Sequence, residues 1–307
     1  MSSPQPTPTL TPAIRRALAK ELTRVAEADV HEVLQQIGDA RPAAATRRVG
    51  FAGPPGAGKS TLVSNLAAHR LKKNDGTTLC VLAIDPSSPV SGGSILGDRI
   101  RMDAVAELPG LFIRSIPSRS GQSGLCENAI DLLCVTERYG FDEVFMETVG
   151  IGQSEVDIRQ LVDTVVLLTT PDSGDSVQAM KAGILEIADI YVITKSENPA
   201  AKRMASEIET VVHASPGGHG GWAPLVIMTE ADGTGVGALS AAIDAHRGFL
   251  LAQTTPQQID AQRRRYHLKS IIDRAVDEAL HTTGPLAERP LLDAYRALLS
   301  GLTQGAG

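Results

Sequence analysis

Eight consecutive residues, Gly53-Pro54-Pro55-Gly56-Ala57-Gly58-Lys59-Ser60, fit the pattern GxxxxGK[ST]. Glycines at this spacing let the backbone turn tightly, so that successive N–H groups converge on a concavity suited to phosphate oxygens. The preceding run "VGFAG" reads as a strand and the following "KSTLVSNLAAHRL" as a helix, whose N-terminus adds partial positive charge. In that setting Lys59 reaches the β- and γ-phosphates of a nucleoside triphosphate and the Ser60 hydroxyl ligates Mg2+, with Thr61 continuing the cradle.

A triphosphate and its metal also need carboxylates. Asp85 ends the apolar run "VLAID", and Glu147 ends "EVFME" shortly before Gly150. Asp98 stands in the glycine-rich stretch "SGGSILGDRIRM". Strand ends are where open α/β sheets bind ligands, and carboxylate oxygens suit Mg2+.

The elements that must position these groups follow from the pattern. From about residue 47, short apolar runs ("RRVGFAG", "TTLCVLAID", "LFIRSI", "DEVFMET", "TVVLLTT", "DIYVIT", "PLVIMT") alternate with segments of helical period. Such alternation implies an α/β fold with a mostly parallel central sheet covered on both faces. Residues 1–46 read as a Pro/Ser/Thr-rich disordered tail followed by one or two helices over 12–40, with Pro12 in the first turn. Residues 47–252 form the nucleotide-binding domain, and 253–307 a helical extension. Within the extension Leu268, Ile271, Ile272, Ala275, Val276, Ala279 and Leu280 recur every three to four residues. That stripe packs either on its own domain or against a second copy of the chain.

Composition removes several classes. Aromatics are only 3% of the 307 residues against 42% hydrophobic, so the core must be aliphatic. With 29 basic and 35 acidic residues, net charge −6 and no basic tract, a nucleic-acid partner is not expected. Cys80, Cys126 and Cys134 form no CxxC pair and read as reduced, buried thiols. Neither a charged-then-apolar leader nor a long apolar span is evident, so no membrane partner is expected and the cytoplasm is the expected location.

Together with the phosphate loop, "DPSSPVSGGSILGDRIRM" (85–102), "ETVGIGQSE" (147–155) and "DSGDSVQAMKAGILEIAD" (172–189) give the chain a strong resemblance to the MeaB/ArgK GTPases. These are P-loop NTPases that act as G-protein chaperones of adenosylcobalamin-dependent methylmalonyl-CoA mutases. The family includes the methylmalonic aciduria type A protein. The resemblance implies that GTP and GDP bind with Mg2+. It makes Asp98, in the first switch, and Glu147, in the second, metal-shell acids, supported by Asp85, and it makes the Gly150 amide the γ-phosphate sensor. Gln178, Lys181 and Glu186 match a third switch that relays the nucleotide state to the mutase. The partners it implies are an acyl-CoA mutase and a second copy joined through the C-terminal helices. Gln153 invites comparison with the water-orienting glutamine of small G proteins, although it stands three residues beyond the glycine rather than directly after it.

The family reads guanine with Asn-Lys-x-Asp; this chain has Thr194-Lys195-Ser196-Glu197. Lys195 is kept, and its stem can cover the base. Thr194 takes the place of the asparagine that braces the phosphate loop. Glu197 keeps the carboxylate but lengthens it by one methylene, and Thr229-Glu230 replaces the family's Ser-Ala in the second base loop. Since the acceptor chemistry for guanine's N1–H and amino group survives, the expected substrate is GTP. Competing readings are an ArgK-type kinase, a metallochaperone GTPase of related fold, and a nucleotide-binding scaffold with relaxed base choice. The seven histidines are scattered, which disfavours the metallochaperone.

Overall fold

The computed structural model describes residues 10–37, 45–73, 76–86, 105–118, 126–148, 154–172, 187–213, 219–282 and 290–304. Thr11 caps the first helix, α1 (Pro12–Glu27), its side chain accepting from the Ile14 amide. Proline at the first helical position costs nothing there, because that N–H has no partner within a helix. A second helix, α2 (Val30–Ile37), follows after two residues. Asp29 and Glu32 form a reciprocal cap: Asp29 Oδ1 accepts from the Glu32 amide at 2.8 Å, and Glu32 Oε2 accepts from the Asp29 amide at 3.3 Å.

Among the described residues, seven strands then follow, interspersed with helices. In chain order they are β1 (Arg47–Ala52), α3 (Lys59–Lys73), β2 (Leu79–Pro86), β3 (Leu111–Ser118), α4 (Ala129–Arg138), β4 (Glu143–Glu147), α5 (Ser154–Leu161), β5 (Thr164–Thr169), β6 (Ile190–Ile193), α6 (Ala200–His213) and β7 (Leu225–Met228). Three helices close the chain: α7 (Val236–Gln253), α8 (Pro256–Thr282) and α9 (Leu291–Gln304). The sheet order is β3-β2-β4-β1-β5-β6-β7, and every adjacent pair is parallel.

Both faces of the sheet are buried, and the two-residue period of the strands decides which side chain goes where. In β6, Ile190 and Val192 join α3 and α7 on one face, through Leu62, Leu66, Leu239 and Ile243. Tyr191 and Ile193 face the other way, toward Leu18 and Leu22 of α1, Leu132 of α4, Ile158 of α5 and Met204 of α6. Each large aliphatic side chain so buried contributes about 1.5–3 kcal/mol. All three cysteines are buried and unbridged, and burial pushes the Cys126 and Cys134 thiols up to about 12.

Helix α8 is fixed to the sheet's lower edge by ion pairs. Arg263 donates to Glu137 of α4 at 3.1 Å, to Asp163 at 2.8 Å and to the Thr46 carbonyl at 3.0 Å. Glu137 also accepts from the fully buried Arg48 of β1 at 2.7 Å, while Asp163 pairs with Arg247 at 3.2 Å. Further along α8, His267 and Arg274 each approach Asp131 at 2.7 Å. The apolar stripe of the extension is covered only in part: Ile271, Ala275, Val276 and Ala279 are half-buried, while Leu268, Ile272 and Leu280 of α8, with Leu291, Leu292, Tyr295 and Leu299 of α9, are exposed. Among the described residues, no helix is long and apolar enough to cross a membrane.

Candidate functional site

The phosphate loop leaves the C-terminal end of the central strand β1 and turns into α3. Gly53 sits at φ 144°, and a Cβ there would lie 2.4 Å from the Leu168 carbonyl oxygen of β5, so neither the backbone conformation nor the space admits a side chain. Gly56 and Gly58, at φ 77° and 80°, meet nothing within 4 Å; there the backbone conformation alone demands glycine. Pro54, Pro55 and Ala57 fill the loop between them, the Ala57 amide donating to the Pro54 carbonyl at 3.2 Å.

Lys59, Ser60 and Thr61 open α3. The Lys59 ammonium donates to the Gly53 carbonyl at 2.8 Å and the Pro54 carbonyl at 3.1 Å, so the loop's own backbone folds the lysine over the cradle. Ser60 Oγ donates to Glu147 Oε1 at 2.8 Å. Glu147 ends β4, level with Phe51 of β1 and Ala83 of β2, and Asp85 lies two residues further along β2. Lys59, Ser60, Asp85 and Glu147 are all buried. The parallel register therefore delivers two carboxylates and a hydroxyl to one end of the sheet beside a lysine.

That donor set is hard oxygen throughout, which suits Mg2+ rather than a softer metal. Among the described residues, no three His, Cys, Asp or Glu side chains gather around one point. Asp98 and Gly150 lie outside the described residues, as do Gln153, Gln178, Lys181 and Glu186.

The residues expected on the base side, Thr194, Lys195, Glu197, Thr229 and Glu230, follow the ends of β6 and β7. Thr194 Oγ1 donates to the Ala57 carbonyl of the phosphate loop at 2.8 Å, with the Thr169 carbonyl also near at 3.2 Å. The hydrogen bond to Ala57 ties the end of β6 to the phosphate loop. Lys195 adopts φ 54°, a left-handed conformation uncommon for a side-chain-bearing residue. Ser196 joins the two loops, its amide donating to the Thr229 carbonyl at 3.1 Å and its hydroxyl to Glu230 Oε1 at 3.2 Å. Thr229 is buried, Glu230 half-buried and Glu197 exposed. The Ser196 linkage was not anticipated; serine in a loop carries no spacing signal of its own.

Thr194→Val keeps the shape and removes the donor, leaving the Ala57 carbonyl short of its partner. An unmet buried acceptor costs about 1–3 kcal/mol, which corresponds to about a fivefold to 150-fold loss of nucleotide affinity if the whole cost falls on the bound state. Titration of a fluorescent guanine nucleotide checks this, and unchanged affinity would mean that the brace does not tune the loop.

Residues 16–284 match the family described as methylmalonyl Co-A mutase-associated GTPase MeaB. A Pyrococcus abyssi relative is 40% identical over 263 residues, which cover 84% of this chain and 80% of its own length. GTPase ArgK of Escherichia coli is 36% identical over 71% of this chain and 66% of its own length. The mitochondrial methylmalonic aciduria type A homolog of Mus musculus is 35% identical over 83% and 62%. A crystal structure of an LAO/AO transport system kinase shares the fold, with TM-score 0.61 at 23% identity, covering 96% of this chain and all of that one.

Proposed function

This chain belongs to the MeaB family of methylmalonyl-CoA mutase-associated GTPases, and from that membership we propose that it gates cofactor loading or protection on an adenosylcobalamin-dependent acyl-CoA mutase. It is a GTPase and binds guanine nucleotide, as its family does. The observation that carries the proposal is the buried group at the sheet's C-terminal end, where Ser60 Oγ meets Glu147 Oε1 at 2.8 Å beside Asp85 and the Lys59 cradle.

In the proposed mechanism the loop amides and the N-terminus of α3 hold the phosphates, and Lys59, already held over the loop by its carbonyls, meets the β- and γ-oxygens there. Ser60, Glu147 and Asp85 would hold Mg2+, joined by Asp98. Bound there, the ion would neutralise charge that builds on the phosphate oxygens. The Gly150 amide would register the γ-phosphate, and the segment carrying Gln178, Lys181 and Glu186 would pass that state to the mutase. On the base side, Lys195 would cover the guanine plane, Glu197 would accept from N1–H and the amino group, and Thr229 and Glu230 would bound the pocket. Little of this is covalent chemistry, so slow intrinsic turnover is expected, faster when a partner orders the loops.

The exposed leucines, isoleucine and tyrosine of α8 and α9 support a homodimer through these helices. The experiment that tests the function measures GTP and ATP hydrolysis with Mg2+, with and without methylmalonyl- and isobutyryl-type acyl-CoA mutases. GTP turnover raised by one mutase is the expected result. No change with any mutase would defeat the chaperone role, and equal rates on both nucleotides would defeat the guanine assignment.

A further inference from the structure

We infer that Asp172 is a positioning residue for guanine recognition, because one carboxylate grips both ends of the turn that carries the base reader. Its Oδ2 lies 3.3 Å from Lys195 Nζ, and its Oδ1 accepts from Asn198 Nδ2 at 3.0 Å. The turn between these residues is closed by the Asn198 amide, which donates to the Lys195 carbonyl at 3.0 Å. Asn198 Oδ1 in turn accepts from the Ala200 amide at 3.0 Å, at the entry to α6.

Two consequences follow from the geometry. The Lys195 side chain is about half exposed (49%), and a four-carbon stem in water samples many rotamers. Pairing its ammonium with Asp172 selects those that lay the stem along the loop, where it can cover a base. The second consequence concerns Glu197, which lies inside the same turn. Its carboxylate carries one methylene more than the family's aspartate, so its reach depends on where the turn sits. Asp172 holds that turn from one side, while Ser196 holds it from the other through the Thr229 carbonyl and Glu230. Asp172 lies just past the end of β5, a different strand from those that supply the base loops, so the base site is assembled from three strand ends.

This inference rests on the assignment of residues 194–197 to the base. The test compares steady-state GTP hydrolysis by the full chain, Asp172→Ala, Lys195→Ala and the double variant, with thermal melting as a control. Asp172 is exposed, so the fold is expected to survive its replacement. The expected result for Asp172→Ala is a GTP KM raised about threefold to tenfold with kcat within about twofold, as befits two solvent-facing contacts. Asp172→Asn, which keeps the acceptor for Asn198, should recover part of that loss. The double variant should lose less than the product of the single losses, since both act through one stem. A KM unchanged in Asp172→Ala but raised in Lys195→Ala would overturn the role of Asp172 alone. Unchanged KM in both single variants would overturn the base assignment beneath it.

Discussion

Lys59→Ala is expected to lower kcat/KM for GTP by about a hundredfold to a thousandfold, the scale seen when one preorganised donor to a developing charge is removed. The lysine is buried at the mouth of the loop and is held there by two of the loop's own carbonyls, so its ammonium is placed before any phosphate arrives. Preplacement matters because phosphoryl transfer asks the protein mainly for position and charge, not for covalent help. The loss should fall on turnover more than on folding, since the lysine's bonds to the Gly53 and Pro54 carbonyls lie within the phosphate loop itself. Steady-state hydrolysis beside a melting curve separates the two. Activity within tenfold of the parent would mean that the phosphates are held elsewhere.

Glu137→Ala is expected to cost about 3–5 kcal/mol of stability, the largest effect foreseen for a residue away from the nucleotide. Glu137 stands between two arginines that share almost no solvent, Arg48 on β1 and Arg263 on α8, at 2.7 and 3.1 Å. Removing it leaves two buried guanidinium groups facing each other with one acceptor fewer. Arg263 would keep Asp163, but that carboxylate already serves Arg247 and the Arg48 amide. Chemical denaturation measures the loss. The exposed pair Arg203–Glu207 on α6 provides the contrast, because breaking it should change stability by about 0.5 kcal/mol or less. A cost below about 1 kcal/mol for Glu137→Ala would mean that Asp163 and the Asp131 pairs hold α8 without it.

What the sequence made legible was local or periodic. Strands buried on both faces read as unbroken apolar runs, so "TVVLLT" and "IYVI" could be placed without any knowledge of their neighbours. The phosphate loop is equally legible, because its conformation is dictated by glycines within eight residues. The stretch 12–40 reads as one or two helices, and the position of the break was within reach: Asp29-Val30-His31-Glu32 is a capping-box pattern, which marks a new helix start. Contacts between remote segments were not legible at all. Thr194 meets Ala57 across 137 positions, and Arg263 meets Glu137 across 126. No periodicity or spacing encodes which hydroxyl faces which carbonyl once two strands lie side by side. Asp172 belongs to the same class, an ordinary loop aspartate until the fold brings it to Lys195.

The seating of α1 has a consequence for how the chain is made. Leu18, Leu22 and Val25 have no exposure at all, and the Asn128 side chain donates to the Val25 carbonyl 103 residues away. On a ribosome moving at about 5–20 residues per second, that surface waits about 5–20 seconds for its counterpart to emerge. For that interval the buried face of the amphipathic α1 has no counterpart to cover it. Expression should accordingly respond to holdase chaperones, and to translation speed between codons 28 and 128, more than the finished protein's stability would suggest.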